Sequence, residues 1–238
     1  MASKFSHRAD IIEIMDDLQC SGGVVDQTLR ELEIINRWLG GNEVTLNGIK
    51  KLVEGQSRDL ITLADLGCGG GDVLIEIAKW GRKKNFNLKL TGIDANPNII
   101  SFAKNNSKDF IEIDYETQNV FSDEFQKMKY DIIVATLFTH HFNHQELVQL
   151  LHSLISQSRI GIVINDLHRH WFAYHSIRLL TKWFSKSAMV QYDAPVSVLR
   201  SFHRSDIVAI LEEAGIQNYS LKWNWAFRWQ LIIPTSLA

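Results

Sequence analysis

The sequence predicts an α/β fold, a doubly wound and mostly parallel sheet with helices on both faces. Strand-like and helix-like segments alternate between about residues 60 and 165, the pattern of parallel strands joined by right-handed crossovers. Two strand-like segments, IIVATLF and IGIVIND, are almost continuously apolar, as expected of strands buried on both faces. Near the C-terminus, two further strand-like runs are too close together for a crossover helix and are expected to pair antiparallel.

Composition limits the classes of function. The 238 residues are 45% hydrophobic and 22% charged, which is typical of one large globular domain with or without a small appendage. The formal net charge of -2 gives no overall attraction for a phosphate backbone, so nucleic acid is not favoured as a partner. Cys20 and Cys68 alone predict neither a disulfide framework nor a thiolate metal site, and they fit a cytoplasmic location. No segment reads as a secretory signal or a membrane span, so we expect no membrane partner.

Residues 1–58 are predicted to form an N-terminal helical cap, ahead of a domain over residues 59–238. In residues 26–39, apolar side chains recur every three or four positions, and the pattern stops at a Gly-Gly pair. A second short helix is expected at about residues 46–53. Together these segments predict a helical appendage on the main domain.

The alternating region is predicted to contain, in order, strand 60–66, helix 72–82, strand 88–94, helix 97–106, strand 109–114, a helix near 122–128, strand 130–137, helix 143–156 and strand 159–165. An aromatic and basic stretch then interrupts the alternation at about residues 167–200, and we expect it to form a lid above the sheet. A helix in SDIVAILEEAGI and the strands NYSLKWNWAF and RWQLII are predicted to complete the chain.

A cluster of glycines follows the first predicted strand, in LADLGCGGGDV at residues 63–73. Such a turn lets the backbone approach a ligand, whose negative group can lie against free N–H groups at the start of the next helix. Two nucleotide-binding patterns compete for it, G-x-G-x-x-G for dinucleotides and D-x-G-x-G-x-G. Gly67 and Gly69 serve both patterns, but Asp72 stands where the dinucleotide pattern requires its third glycine.

In the second spacing, ADLGCGGGDV resembles the first motif of the class I S-adenosylmethionine-dependent methyltransferases. The resemblance covers roughly residues 60–233, and it extends to TGIDANP after the second strand, YDIIVATLFTHHF at the fourth strand and the terminal hairpin. It implies a Rossmann-like sheet of seven strands with one antiparallel strand, and S-adenosylmethionine as cofactor. LRELEIINRWLGG and FTHHF are also similar to bacterial small-molecule methyltransferases of the quinone- and polyketide-modifying type, whose N-terminal helices would place Arg30 or Trp38 near the pocket mouth.

The resemblance also implies which residues hold the cofactor. Asp65 would hold its methionyl end, and Asp94 would accept charge-assisted hydrogen bonds from both ribose hydroxyls. The other residues implied at the cofactor are Gly67, Cys68, Gly69 and Gly71 in the turn, Ala95 and Asn96 after Asp94, Asn119 and Val120 near the adenine, and Ala135 and Leu137 at the end of the fourth strand. The alternative is that Asp65 and Asp94 only cap helices.

Histidines supply the candidate base. His140 and His141 follow the fourth strand and His168 follows the fifth, so the topology brings them to the carboxyl ends of the strands, where such sheets bind ligands. A base that deprotonates a phenol or enol would assist methyl transfer, and imidazole suits neutral pH. We take His141 as the first candidate and His140 as the second, although each could instead make a structural hydrogen bond. Metal binding by His140, His141 and His144 with Asp166 is a further alternative, but no companion motif supports it and we predict no metal.

The lid is the candidate acceptor site, with His168, Trp171, Tyr174 and Arg178 as the predicted contacts. Aromatic rings interleaved with cations can stack on a planar, partly anionic acceptor such as a phenol, quinone or polyketide-like ring. They could equally stack on nucleobases, or simply pack the lid onto the sheet.

The sequence therefore predicts an enzyme, an S-adenosylmethionine-dependent methyltransferase that acts at oxygen on a small hydroxylated aromatic, quinone or polyketide-like acceptor. The alternatives are C-methylation of a quinone-like ring, methylation of a macromolecule, a nicotinamide-binding oxidoreductase, and a non-catalytic cofactor-binding module. TLFTHH after the fourth strand lacks the motif expected for amino methylation of nucleobases.

Overall fold

The structure is a computed structural model that describes residues 4–55 and 59–235. The end of the predicted cap, residues 56–58, and the last three residues of the predicted domain lie outside these ranges. A short 3-10 turn, Ile14–Asp16, precedes helices α1 (Gly23–Trp38) and α2 (Gly41–Val53). Both helices predicted for the N-terminal cap are present. The domain boundary between residues 58 and 59 stays a prediction.

The main body alternates strands and helices in the predicted order. Its elements are β1 (Ile61–Leu66), α3 (Asp72–Lys84), β2 (Leu88–Asp94), α4 (Pro97–Asn106), β3 (Ile113–Thr117), α5 (Asp123–Gln126), β4 (Tyr130–Thr136), α6 (His144–Gln157) and β5 (Ser158–Leu167). The lid stretch forms α7 (Trp171–Phe184) and α8 (Ala188–Arg200), and the chain continues with α9 (Arg204–Glu213), β6 (Ser220–Asn224) and β7 (Arg228–Pro234).

The strands form one seven-stranded sheet in the order β3-β2-β1-β4-β5-β7-β6. The first five are parallel, while β7 lies antiparallel to both of its neighbours. This confirms the predicted doubly wound sheet with one antiparallel strand in a C-terminal hairpin. All seven residues of β4 are buried, as its apolar sequence requires for the centre of a covered sheet.

The third strand is the main difference from the predicted boundaries. The structure places turns rather than a strand at residues 107–112, where the backbone N–H of Phe110 donates to the carbonyl of Ser107 and that of Ile113 to the carbonyl of Phe110. β3 therefore begins at Ile113, opposite Leu90 of β2. The apolar letters FIEI look strand-like, but it is the pairing with β2 that sets the strand limits.

The sheet has an apolar core on each face. On one face, α6 and α9 cover the side chains of sheet residues such as Ala64, Ile133 and Leu231. On the other face, α2, α3 and α4 cover side chains such as Leu63 and Ile132, which alternate with the first set along the same strands. Since α2 packs in this second core against β5 and β7, the N-terminal helices are part of the structure that supports the carboxyl ends of the strands.

Gly161 of β5 shows how tightly α2 packs on the sheet. A Cβ there would lie 2.6 Å from Leu52 Cδ2 and 2.9 Å from the backbone oxygen of Ile233. We expect Gly161→Ala to lower the free energy of unfolding by about 1–3 kcal/mol, because the backbone of β7 cannot yield as a side chain would. Urea unfolding measures this change. Gly23→Ala is the matched control, since a Cβ at Gly23 meets nothing within 4 Å; equal stability of the two variants would contradict the packing argument.

Candidate functional site

A cavity of about 1380 Å³ opens at the carboxyl ends of β1, β2 and β4. The strand order reverses between β1 and β4, and such a switch point is where open α/β sheets bind ligands. The residues after these strands form its floor, and the N-terminal segment, α1, α7 and α8 form its walls. The cavity is larger than the roughly 300–1,000 Å³ that one small ligand needs, so it has room for a cofactor and an acceptor together.

The glycine turn forms one side of the cavity floor. Gly67, Gly69 and Gly71 have φ values of 63°, 51° and 78°, a region that side chains disfavour. A Cβ at Gly67 would lie 2.2 Å from Phe138, and a Cβ at Gly71 would lie 2.2 Å from the Tyr115 hydroxyl. The turn therefore needs glycine both for its backbone conformation and for close packing.

Asp65 lies at the end of β1, and its carboxyl group is buried without a hydrogen-bond partner among the described residues. It is 1% exposed and lines the cavity, and neither carboxyl oxygen has a hydrogen-bond partner among the residues that the structure describes. Burial, with Asp72 and Asp94 nearby, raises the pKa of Asp65 well above its ordinary value. A buried carboxyl without partners fits a ligand that brings its own cationic donor, such as the ammonium group at the methionyl end of S-adenosylmethionine.

Asp94 ends β2 on the other side of the turn. Its Oδ1 accepts a hydrogen bond from the backbone N–H of Asn96 at 2.9 Å, and burial raises its pKa. Asn96 itself caps α4, because its Oδ1 accepts from the backbone N–H of Asn98 and its amide donates to the carbonyl of Cys20. Asp94 therefore keeps acceptor capacity for a ligand, whereas the Asn96 side chain is already engaged.

Most of the other residues predicted at the cofactor also reach the cavity. Its lining includes Gly67, Cys68, Gly69, Ala95, Asn96, Asn119, Val120 and Leu137. Gly71 and Ala135 are not part of the lining, since Gly71 begins the turn into α3 and Ala135 lies inside β4. Leu137 has a left-handed backbone conformation with φ 53°, which the sequence did not predict. This conformation turns the chain out of β4 toward the histidine pair.

His140 is buried in a hydrogen-bonded pair with Asp166 at the end of β5. The ring Nδ1 lies 2.7 Å from Asp166 Oδ1, while Nε2 has no hydrogen-bond partner among the described residues. Asp166 also accepts from the Thr139 hydroxyl at 2.6 Å and from the backbone N–H groups of His140 and Leu167. Burial alone would raise the pKa of Asp166, but the charge of His140 and these hydrogen bonds hold it below its ordinary value. The carboxylate thus fixes the orientation of the imidazole, whose Nε2 is buried and makes no hydrogen bond to the described residues.

His141 makes a second pair of this kind, with Asp16 of the N-terminal segment. Its Nδ1 lies 2.6 Å from Asp16 Oδ1, and the Arg200 guanidinium contacts Asp16 Oδ2 at 2.5 Å and the His141 carbonyl at 2.7 Å. Burial acts to raise the pKa of Asp16, but hydrogen bonds from His141 and Arg200 keep it lowered. His141 is 24% exposed in its side chain, against 3% for His140, so the first-choice base of the sequence analysis is the more solvated of the two.

Glu13 faces His140 from the N-terminal segment. Its Oε2 accepts from the Ser197 hydroxyl at 2.8 Å, and its Oε1 lies 3.6 Å from His140 Nε2. Burial raises the pKa of Glu13 to about 7. Sequence reasoning missed both Glu13 and Asp16, because acids in the short stretch EIMDD belong to no motif and nothing local places them beside residues 140 and 141.

The residues of the metal alternative are not brought together as a set. His144 pairs with Glu213 on the surface at 2.7 Å, and Asp166 is occupied by His140. A different group, Glu13, His140 and His141, places one potential ligand atom from each residue within 4.8 Å of the others. Imidazole and carboxylate donors of this kind could hold a divalent cation.

The predicted acceptor contacts lie outside the cavity lining. His168 accepts a hydrogen bond from Trp223 Nε1, with its pKa lowered to about 4 by burial, and Tyr174 packs edge-on against Phe5. Trp171 and Arg178 lie on the exposed face of α7. The face of α7 that meets the cavity instead carries Phe172, Ala173, Ser176, Ile177 and Leu180. We therefore transfer the proposal of acceptor contact to that face.

The predicted positions at the pocket mouth also differ. Arg30 lies over the ring of Phe102 at 5.5 Å, and Trp38 is 82% exposed at the end of α1. Neither side chain is part of the cavity lining. Leu29, Leu32 and Ile35 of α1 line it instead, since they lie on the opposite, inward side of that helix.

A family model described as a methyltransferase domain matches residues 57–215, more than half of the chain. The chain belongs to this methyltransferase family. The match confirms the predicted membership of the class I methyltransferases, whose cofactor is S-adenosylmethionine, and the prediction of an enzyme of this kind. A comparison with curated protein sequences finds no match.

Solved structures share the fold of this methyltransferase. Human N-acetylserotonin methyltransferase in complex with SAM superposes with a TM-score of 0.62 at 17% identity, over 90% of this chain and 56% of that one. The plantazolicin methyltransferase BpumL in complex with SAH gives 0.61 at 17% identity, over 90% and 100%. The CMeT domain of the citrinin polyketide synthase gives 0.61 at 13% identity, over 80% and 51%. The chain therefore spans about half the length of the human and citrinin proteins.

No helix within residues 4–55 and 59–235 has the length and apolar character needed to cross a membrane.

Asp94 provides a direct test of the cofactor site. We expect Asp94→Ala to weaken binding of S-adenosylhomocysteine by about 1.5–3 kcal/mol, because the ribose hydroxyls would lose the carboxylate that accepts their hydrogen bonds. Isothermal titration calorimetry measures the change. Asp114→Ala is the control, since Asp114 is an exposed acid of β3 outside the cavity lining; affinity unchanged by Asp94→Ala would remove the proposed role.

Glu13 gives the methyltransferase a pH dependence of stability. Its pKa rises from the ordinary 4.5 to about 7 in the folded state, so between these values the folded chain binds more protons than the unfolded chain. The stabilisation that Glu13 provides is therefore complete below about pH 4.5 and is lost as the pH rises through 7. Relative to Glu13→Gln, we expect the wild type to lose roughly 3 kcal/mol across this window in urea unfolding. Parallel stability curves for the two proteins would contradict the burial argument.

Proposed function

We propose that the chain transfers a methyl group from S-adenosylmethionine to a hydroxyl oxygen of a small aromatic, quinone or polyketide-like acceptor, with His140 as general base. The observation that carries this proposal is the His140–Asp166 pair, because His140 lines the same cavity as the glycine turn and its Nε2 makes no hydrogen bond to any described residue. The burial of this pair is the reason to place His140 ahead of His141.

The residues that would hold the cofactor are suggested by the unpartnered Asp65 carboxyl and by the glycine turn. Asp65 would accept hydrogen bonds from the ammonium group, the turn at residues 67–71 would lie against the methionyl part, and Asp94 would accept from the ribose hydroxyls. Asn119 and Val120 would border the adenine. When bound, S-adenosylmethionine supplies an electrophilic methyl group carried by a sulfonium.

His140 would then remove the proton from the acceptor. The Asp166 carboxylate accepts a hydrogen bond from Nδ1–H of His140. The lone pair on Nε2 would therefore take the hydroxyl proton. The same carboxylate stabilises the imidazolium that forms, as in other carboxylate–histidine pairs. Thr139 and two backbone N–H groups hold Asp166 in place, so the base is oriented before the acceptor arrives.

The cavity walls support a planar acceptor. Phe138 and Phe142 lie beside the histidine pair with their rings 4.9 Å apart, and Phe172 and Tyr192 of the lid face the same space. Aromatic walls of this kind stack on flat rings and exclude water from the reacting atoms. A second candidate is C-methylation of such a ring, because the structural neighbours include domains described as carbon methyltransferases. Product analysis by mass spectrometry and NMR distinguishes an O-methyl from a C-methyl product.

The family match argues against nicotinamide oxidoreduction, which the sequence analysis kept as an alternative for the glycine turn, and so does the turn itself. Asp72 begins α3 at the position of the third dinucleotide glycine, and Asn42 donates a hydrogen bond to its carboxylate. The turn thus carries a second acid where a pyrophosphate would have to approach the helix start. Titration with NADH beside S-adenosylhomocysteine tests this alternative directly.

His140→Gln tests the base while keeping a donor for Asp166. We expect turnover of an acceptor, found by screening phenols and quinols with labelled S-adenosylmethionine, to fall about 100- to 10,000-fold, because glutamine cannot take a proton. Binding of S-adenosylhomocysteine should stay close to the wild-type value. His144→Gln is the control, since His144 pairs with Glu213 on the surface. Full turnover by His140→Gln at every pH would exclude His140 as the base.

A further inference from the structure

The outer face of α7 is an exposed apolar surface that the proposed reaction does not use. Leu179 is 59% exposed and Trp183 is 73% exposed, and Phe184 at the helix end is 81% exposed. Leu179 and Trp183 are four residues apart, so they are neighbours on one face of the helix, and Phe184 follows at the helix end. A contiguous stripe of large apolar side chains in water calls for a partner.

A basic stripe runs beside the apolar one. Arg178 and Lys182 lie four residues apart on α7, and Lys186 follows just beyond the helix end. All three side chains are exposed. Residues 167–192 contain no aspartate or glutamate, although the whole chain has a formal net charge of -2. The outer face of α7, defined by Leu179, Lys182, Trp183 and Lys186, is thus both apolar and locally cationic.

We propose that the outer face of α7 docks on the surface of an anionic lipid bilayer. Helices that lie in a membrane interface combine tryptophan, phenylalanine and leucine with lysine and arginine in this way. The rings and aliphatic side chains would enter the headgroup region, while the cations pair with anionic lipid headgroups. The helix lies on the surface and spans nothing.

Charge favours a lipid surface over a second copy of this chain. In a two-fold symmetric contact the same surface meets itself, so the cations of both copies would face one another. The acid-free stretch at residues 167–192 would supply no partner for them. Anionic headgroups supply the missing charge.

Docking would bring the cavity close to the lipid. The opposite side of α7 lines the cavity with Ala173, Ile177 and Leu180, so one helix, roughly 10 Å across, separates the cavity from the docked face. Acceptors that partition into the bilayer would then be concentrated near the site. The sequence-based expectation of no membrane partner rested on the lack of a spanning segment, which surface docking does not require.

Co-sedimentation of the full chain with vesicles tests the proposal. We expect binding to vesicles of phosphatidylcholine with phosphatidylglycerol, and little binding to phosphatidylcholine alone. Lys182→Glu with Lys186→Glu should lower the partition coefficient about tenfold or more, because each cation near an anionic surface adds to binding. Leu179→Ser with Trp183→Ser should lower it as well, through loss of apolar burial.

Matched controls come from the far side of the sheet. Ile111 is 95% exposed and Lys108 is exposed in the turn before β3, so Ile111→Ser with Lys108→Glu makes similar changes outside α7 and should bind as the wild type does. Circular dichroism checks that every variant is folded. Wild-type protein that stays in the supernatant, or α7 variants that bind equally well, would overturn the proposal.

Gel filtration of the same proteins tests whether a second copy of this chain, rather than lipid, covers the outer face of α7. A wild-type dimer that the α7 variants dissociate, without any binding to vesicles, would assign the surface to a second copy and overturn the lipid proposal. Methyl transfer to a water-soluble acceptor is measured without vesicles, so failure of lipid binding and failure of the proposed reaction are distinguishable.

Discussion

The buried carboxylate of Asp166 is the constraint on which the candidate site depends. It lies at the end of β5 and accepts hydrogen bonds from Thr139, His140 and the backbone of Leu167, which joins the end of one strand to the loop after its neighbour. A buried charge is costly unless it is hydrogen-bonded, so these hydrogen bonds stabilise the carboxylate inside the protein. The orientation of the His140 ring follows from these bonds.

Residues 8–16 of the N-terminal segment make hydrogen bonds to the histidine pair and its surroundings. Arg8 donates to the carbonyls of His140, Phe142 and Arg200, and Asp193 accepts from the backbone N–H groups of residues 14 and 15. These bonds bring Glu13 and Asp16 to the histidine pair. The polar end of the cavity is therefore assembled from four separate parts of the chain, at residues 8–16, 140–142, 166 and 193–200.

Site residues that lie at strand ends could be predicted from the sequence, whereas those that depend on contacts between distant segments could not. The glycine turn, the acids at the ends of β1 and β2, and the histidines after β4 were predictable because each lies at the end of a strand whose apolar sequence is easily recognised. The cavity-lining face of α7 was not, since the helix carries aromatic side chains on both faces and periodicity alone cannot say which one is inward. Glu13 and Asp16 were beyond reach for a different reason, because contacts more than one hundred residues apart in the chain leave no mark on either segment.

Arg169 anchors the start of the segment formed by α7 and α8. This fully buried guanidinium, at the start of the lid, donates to the carbonyls of Phe5 and Ser201 and pairs with Asp206 at 2.9 Å. Arg200 ties down the other end of the lid through Asp16. Because α7 and α8 are held at both ends in this way, pivoting the segment about either end would break an ion pair that is shielded from water, which is costly.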